Sequence, residues 1–420
     1  LMGEALEKAR AAKDASRRIG MLGSAERAQV ICAMAQHLRT HGSAILVANA
    51  VDVADARAAG VAASLVDRLM LDEGRVEAMA RGLEEVASQP DPLGRTLEGS
   101  VLSNGLSVQK VTVPMGVVAI VYEARPNVTS DAAGICLKAG NACILRGGSM
   151  AARSCETIVE ALRDALVSCG LPADAVCLLT SPGHAAVEEL FGLVGLVDVL
   201  IPRGGAGLIQ NCVQNSKVPV IETGTGNCHT YVHAQADQAM ALDILHNAKC
   251  SRPGVCNACE SVLVDQACAT EFLPKLLSAC AQWGVLVHGD EATLQVAQDL
   301  GLSCCIAAQE QDWGREYLAF ELSCKVVDGI EEAIEHINRY GTGHSECIVT
   351  CDYAASQAFL AGVDAAAVYV NASTRFTDGG MFGLGAEIGI STQKLYARGP
   401  MGAGALVSTK YVCRGNGQVR

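Results

Sequence analysis

Long apolar runs are missing from this 420-residue chain. The longest, around residues 117–122 and 191–201, are too short to cross a bilayer, and Asp198 interrupts the second, so no membrane protein is expected. Charge is scarce as well, at 18% of residues, and its balance is acidic, with a net charge of −13. Such a surface repels phosphate backbones, which excludes nucleic acid as the main partner. The opening stretch Leu1-Met-Gly-Glu-Ala-Leu-Glu-Lys-Ala-Arg10 carries acids and lacks the apolar segment of a secretory signal. A cytoplasmic location, and with it reduced thiols, is expected. The nineteen cysteines agree: Cys136, Cys143 and Cys177 sit inside apolar segments, where alanine or valine would serve, and not in a disulfide framework. No internal repeat and no low-complexity tract is visible.

What is there reads as a compact, turn-rich globular chain, half hydrophobic and with 43 glycines. Its length asks for two or three domains. Residues 4–60 read as helix, broken near 20–24 and at Gly42, with Ser24 as a cap; a further helix covers 71–89 and ends at Pro90-Asp-Pro-Leu-Gly94. Asn104-Gly105 between two short alternating runs predicts a hairpin whose edges need a partner. Strands then alternate with helices: strands at 117–122, 141–146, 175–179, 198–201 and 218–221, helices at 130–139, 149–168, 184–191 and 205–215. That pattern predicts a doubly wound parallel sheet. The usual Gly-x-Gly-x-x-Gly does not follow the first strand. Glycine turns occur instead at Arg146-Gly-Gly-Ser149 and Arg203-Gly-Gly-Ala-Gly207, where N–H groups at a helix start suit phosphate. From Gly224 a second α/β pattern begins, and the tail 404–412 reads as a lone strand able to pair with the hairpin.

Inside that second pattern lies Asn247-Ala-Lys-Cys-Ser-Arg-Pro-Gly-Val-Cys256-Asn-Ala-Cys-Glu-Ser-Val-Leu-Val264, a glycine- and proline-broken loop running into a strand. A thiol at such a junction can be held rigidly and still face a cleft, and a thiolate both attacks acyl carbons and leaves them readily. Cys256 is therefore the candidate nucleophile. Cys256 and Cys259 also spell C-x-x-C, which opens a rival reading as a redox dithiol or half a zinc site, with Cys250, His229 and His246 near in sequence. No second C-x-x-C at zinc-finger spacing accompanies it, and an extended segment would put 256 and 259 on opposite faces. A non-catalytic interaction subunit is a third reading.

Five stretches go further: Val113-Pro-Met-Gly-Val117, Tyr122-Glu-Ala-Arg-Pro-Asn-Val-Thr129, Ile221-Glu-Thr-Gly-Thr-Gly-Asn-Cys-His229, Arg252-Pro-Gly-Val-Cys-Asn257 and Arg398-Gly-Pro-Met-Gly402. In order, and over essentially the whole chain, they resemble the γ-glutamyl phosphate reductase family, a branch of the aldehyde dehydrogenase superfamily. The resemblance implies an α/β, aldehyde-dehydrogenase-like fold. Its parts would be a Rossmann-type cofactor domain (1–96 and 113–222), an α/β catalytic domain (223–395) and a small β oligomerisation element (97–112 and 396–420). It implies NADPH-dependent reduction of a small-molecule substrate, L-glutamyl 5-phosphate, to L-glutamate 5-semialdehyde and phosphate, in proline biosynthesis, by a homo-oligomer. The labile acyl phosphate makes association with glutamate 5-kinase attractive. The nearer rival is another aldehyde or acyl-thioester oxidoreductase on the same scaffold.

The resemblance also implies roles for residues. Cys256 aligns with the family nucleophile, and Asn127 with the asparagine that stabilises the oxyanion. Arg146, with Gly147, Gly148 and Ser149, falls at the adenosine ribose; Ser149 stands where NAD-using members often carry a glutamate, which fits NADP. Gly204 and Gly205 form the second glycine turn. Glu316 matches the glutamate that holds the nicotinamide ribose, although Phe320 stands where proline is usual. Glu222, grouped with the cofactor pocket, matches the acid that activates water in hydrolytic relatives, a step phosphate reduction does not need. Cations should meet the anionic substrate, and Arg125, Arg375 and Arg398 are the candidates, with Arg252 beside the nucleophile. No metal is implied.

Overall fold

The computed structural model describes residues 3–123 and 125–420. Internal contacts divide the chain into two units, Leu1–Thr223 with Gly383–Gly389 and Met401–Arg420, and Gly224–Phe382 with Ile390–Pro400.

The first unit opens with helices Glu4–Ile19, Ser24–Thr40, Gly42–Ala58, Ala63–Leu69 and Glu73–Ser88. Ala5, Ala9 and Ala12 recur at helical spacing and join Val117, Ala119 and Ile144 in one core, since small side chains let a helix lie close on a sheet. Ser24 does not cap the second helix. It is already helical, Gly23 holds the cap position, and the Glu26 carboxylate accepts the Gly23 N–H at 2.7 Å. The stretch expected as one helix over 71–89 is Glu73–Ser88, capped by Asp72, which accepts from the Arg75 N–H at 2.7 Å; the short helix before it was not foreseen.

Among the described residues, the central sheet of this unit is four-stranded and parallel, in the order Val176–Leu178, Ala142–Arg146, Val117–Tyr122, Val199–Arg203. Val117–Tyr122 is buried along its whole length, as a strand covered on both faces requires. The expected strand at 218–221 is reduced to a single bridge between Leu200 and Val220. Pro219 has no N–H to extend the pairing. A separate antiparallel sheet joins Thr96–Val101, Ser107–Pro114 and Val407–Arg414, with the hairpin and the C-terminal strand side by side. The hairpin turns at Gly105, whose φ of +86° suits glycine.

The second unit carries a seven-stranded parallel sheet in the order Cys305–Ala307, Leu286–Gly289, Glu321–Val327, Cys259–Asp265, Cys228–Val232, Ser345–Val349, Ala367–Val370. Cys259–Asp265 lies mid-sheet with every residue buried. Cys259, Cys268, Cys280, Cys324 and Cys347 pack into one core as small hydrophobes. The helix Tyr353–Gly362 and the three-residue strand Cys305–Ala307 escaped the sequence reading. The helix is short and alanine-rich, and its start is set by Asp352, which accepts from the Ala355 N–H at 2.9 Å. Among the described residues no helix is long and apolar enough to cross a membrane.

Candidate active site

The helix Gln238–Cys250 delivers the chain to the loop of the candidate nucleophile, Cys256. Pro253 cannot continue a helix, and the chain turns through residues 253–258 before entering Cys259–Asp265. Cys256 sits in that turn, half-buried, and not in an extended run as the opposite-face argument assumed. Burial separates the two thiols instead. Cys259 is fully buried, its Sγ donates to the Ser261 carbonyl at 3.4 Å, and burial pushes its thiol up to about 11. That environment gives Cys259 a packing role and leaves Cys256 as the less buried cysteine of the pair.

The backbone beneath Cys256 is crowded. A Cβ on Gly226 would lie 1.4 Å from the Cys256 carbonyl oxygen, so only glycine fits there. The Cys228 thiol donates to the same oxygen at 3.2 Å. The Gly226 N–H in turn donates to Glu316 Oε1 at 2.8 Å.

Arg375 closes the side of the loop. Its Nε donates to Ser251 Oγ at 3.2 Å and its guanidinium to Asn257 Oδ1, residues on either side of Cys256 in the chain. Asn257 is itself fixed: its side-chain amide donates to the Thr377 carbonyl at 2.9 Å, and its backbone carbonyl accepts from Thr374 Oγ1 at 2.8 Å. Burial, together with the Arg252 charge, lowers the proton affinity of Arg375, while Asp378 and Cys256 oppose this. Arginine stays cationic under these conditions. Cys256, Arg252 and Arg375 are thus brought together. Arg398 is not with them, since it donates to Asp364 Oδ1 at 2.8 Å and shares that carboxylate with Lys394. Hydrogen bonds from Lys394 and Arg398 hold Asp364 below the usual carboxylate range.

The base of the loop is closed by an ion pair that sequence reasoning missed. Lys249 Nζ meets Glu260 Oε2 at 2.7 Å, with both side chains fully buried. Burial pushes the Glu260 carboxyl up to about 7, and Lys249 opposes that. The available signal was a lysine and a glutamate bracketing the loop, a spacing that only the fold turns into a contact. Lys249→Met leaves Glu260 buried without its partner and is expected to cost about 3–5 kcal/mol of stability, most of it recovered in the double variant K249M/E260Q. Denaturant melts of both proteins measure this.

In the first unit, Asn127 opens the helix Asn127–Lys138 and donates its amide to Asp131 Oδ2 at 3.1 Å. Desolvation pushes the Asp131 carboxyl up to about 7, against the Asn127 hydrogen bond and the charge of Arg203. Arg125 precedes this helix, and its N–H donates to the Glu123 carbonyl at 2.6 Å. Glu222 is half-buried just past the Val220 bridge. At the second glycine turn, the Gly205 N–H donates to Glu123 Oε2 at 3.0 Å, and a Cβ on Gly204 would meet the Glu123 carboxylate at 2.6 Å. A carboxylate of the chain itself thus lies at the position read as a phosphate cradle.

The first glycine turn is different. Arg146 donates to the carbonyls of Gly147 at 2.5 Å, Gly183 at 3.1 Å and Ser181 at 3.3 Å, and its buried Nε has no hydrogen-bond partner among the described residues. A Cβ on Gly147 would meet Cys155 Sγ at 2.7 Å. Gly148 leads into a single tight turn, Ser149–Ala151, with Ser149 exposed. The guanidinium is thus held by main-chain carbonyls at the end of the strand Ala142–Arg146, and Ser149, three residues on, is exposed.

A Rossmann-like unit, a second α/β unit presenting a thiol on a braced turn and a hairpin sheet together define a class of protein. The chain belongs to the aldehyde dehydrogenase family, whose sequence model matches residues 3–298. Members of that class act with a nicotinamide cofactor. Over its whole length the chain is 51% identical to the γ-glutamyl phosphate reductase of Clostridium botulinum strain Alaska E43, which is also covered in full. It is 51% identical to that of Caldanaerobacter subterraneus, over 98% of this chain and 99% of that one. Its fold superposes on the crystal structure of the γ-glutamyl phosphate reductase of Thermotoga maritima with a TM-score of 0.96 and 44% identity, both chains covered in full. Within the aldehyde dehydrogenases, the chain is therefore one of the γ-glutamyl phosphate reductases.

Proposed function

We propose that this chain reduces L-glutamyl 5-phosphate to L-glutamate 5-semialdehyde and phosphate, with NADPH, through a thioester on Cys256. The observation that carries the reading is full-length identity of 51% to γ-glutamyl phosphate reductases, with a half-buried Cys256 on a turn flanked by Arg375. The Cys256 thiolate attacks the acyl carbon, a C–S bond forms, and phosphate leaves with the electrons of the broken C–O bond. Arg375 and Arg252 supply positive charge where the acyl phosphate brings negative charge. Asn127 donates its amide to the oxyanion, and its tie to Asp131 orients that amide. When bound, the nicotinamide cofactor supplies the hydride that reduces the thioester. Cys256 then leaves as thiolate when the thiohemiacetal carbonyl reforms.

Arg146 and Ser149 support NADP over NAD, because a cation beside a hydroxyl accepts a 2′-phosphate that a glutamate would repel. In the same reading Gly147 and Gly148 line the adenosine side, Gly204 and Gly205 receive phosphate once Glu123 withdraws, and Glu222 keeps a structural or proton-handling role. Arg125 and Arg398 are kept as substrate candidates, Arg398 after release from Asp364. The hairpin sheet exposes Leu97, Val101 and Tyr411, which suits a subunit contact in a cytoplasmic homo-oligomer. The labile acyl phosphate favours hand-over from glutamate 5-kinase.

The test is trapping. The protein is incubated with glutamate semialdehyde and NADP⁺ without phosphate, and its peptides are read by mass spectrometry. A glutamyl adduct on Cys256 is expected; an adduct confined to another residue refutes the mechanism.

A further inference from the structure

We infer that Glu316 is a positioning residue for the nucleophile, acting through Gly226 and without any bound cofactor. The inference rests on Cys256 as the nucleophile and goes beyond a contact to the nicotinamide ribose. Residues 226–228 form the floor on which the Cys256 peptide unit lies. Gly226 approaches its carbonyl more closely than any side chain would allow, and Cys228 donates to the same oxygen. One end of this floor is held by the strand Cys228–Val232 in the sheet. The other end is held by the Gly226 N–H donating to Glu316 Oε1 at 2.8 Å.

Glu316 in turn belongs to a loop that is itself fixed. Leu318 has a φ of +54°, a conformation that leucine keeps only where its surroundings impose it. Glu260 imposes it: Oε1 accepts the Leu318 N–H at 3.3 Å while Oε2 pairs with Lys249 at 2.7 Å. Lys249 is in the last turn of the helix entering the nucleophile loop, and Glu260 is the second residue of the strand leaving it. Entry, exit and floor of the nucleophile turn are therefore tied through one buried carboxylate to the loop that presents Glu316. Asn227, in the middle of the floor, is tied independently to Thr342, Trp313, Tyr340 and Ser261, so loss of the Glu316 acceptor releases the Gly226 end alone, the end that lies against the Cys256 carbonyl.

The experiment is alkylation of the cofactor-free protein with iodoacetamide, followed residue by residue by mass spectrometry because Cys32, Cys351 and Cys413 are exposed as well. In Glu316→Ala the Cys256 rate should fall about tenfold, as expected when a reacting atom is misplaced, with the rates at Cys32, Cys351 and Cys413 unchanged. Glu316→Gln retains an oxygen that accepts the Gly226 N–H, so its Cys256 rate should stay within about twofold of the parent while its KM for the cofactor rises. An unchanged Cys256 rate in Glu316→Ala overturns the inference and leaves the proposed reaction standing. Failure of Cys256 to react faster than the exposed cysteines in the parent overturns both. Hydrogen exchange on the unsubstituted protein gives an independent check: the Gly226 amide should be protected, and rapid exchange there would refute the brace.

Discussion

Cys256→Ala is expected to lower kcat for acyl phosphate reduction by about ten-thousand-fold, because in the proposed mechanism it removes the covalent nucleophile and with it the whole two-step route. Cofactor binding should persist, since Arg146 and its glycine turn lie in the other unit. The informative comparison is Cys259→Ala. Its sulfur is buried in the core, so the change should cost about 1 kcal/mol of stability and leave kcat within a few-fold. Initial rates followed by nicotinamide absorbance, alongside thermal melts, separate the two variants. Equal losses of activity in both would bring back the dithiol reading and remove Cys256 from its role as sole nucleophile.

Gly226→Ala should be nearly as damaging to catalysis although it only adds a methyl group. The added carbon would fall 1.4 Å from the Cys256 carbonyl oxygen, a backbone atom that has no rotamer by which to escape. Either the floor or the nucleophile turn has to move by an ångström or more. Misplacement on that scale costs about a hundredfold in kcat. The sheet core lies outside the clash, so the melting temperature should drop only modestly. Gly404→Ala is the matched control, because a Cβ there meets nothing within 4 Å. A Gly226→Ala protein with parental kcat would mean that the close approach under Cys256 does not occur in solution.

Much of the architecture was legible in the chain because local rules and the tertiary fold agree there. Val117–Tyr122 is a continuous apolar run, and it became a strand buried on both faces. Asn104-Gly105 marked a hairpin, and Gly105 takes the positive φ that such a turn demands. The reading failed where competing local chemistry won. Glu26, three residues into the helix, took the capping task assigned to Ser24, and Pro219 cut an apolar run short of a strand. At the site, the loop carrying Cys256 was visible from its glycine and proline, and Arg375 as a cation expected to meet an anionic substrate.

The order of apolar and polar residues by itself determined the alternation of strands and helices and the glycine- and proline-broken loop that carries a thiol, while the class of chemistry came from the five family-like stretches. Those features depend on spacings of a few residues, which a linear text displays. Only the tertiary structure decided which cysteine of the pair is buried, that Glu123 lies across the second glycine turn, and that Lys249, Glu260, Glu316 and Gly226 converge behind Cys256. The physical reason is that burial and hydrogen bonding between distant segments are set by how the sheet brings them side by side. The 90 residues separating Gly226 from Glu316 in sequence leave no local trace of the 2.8 Å between them.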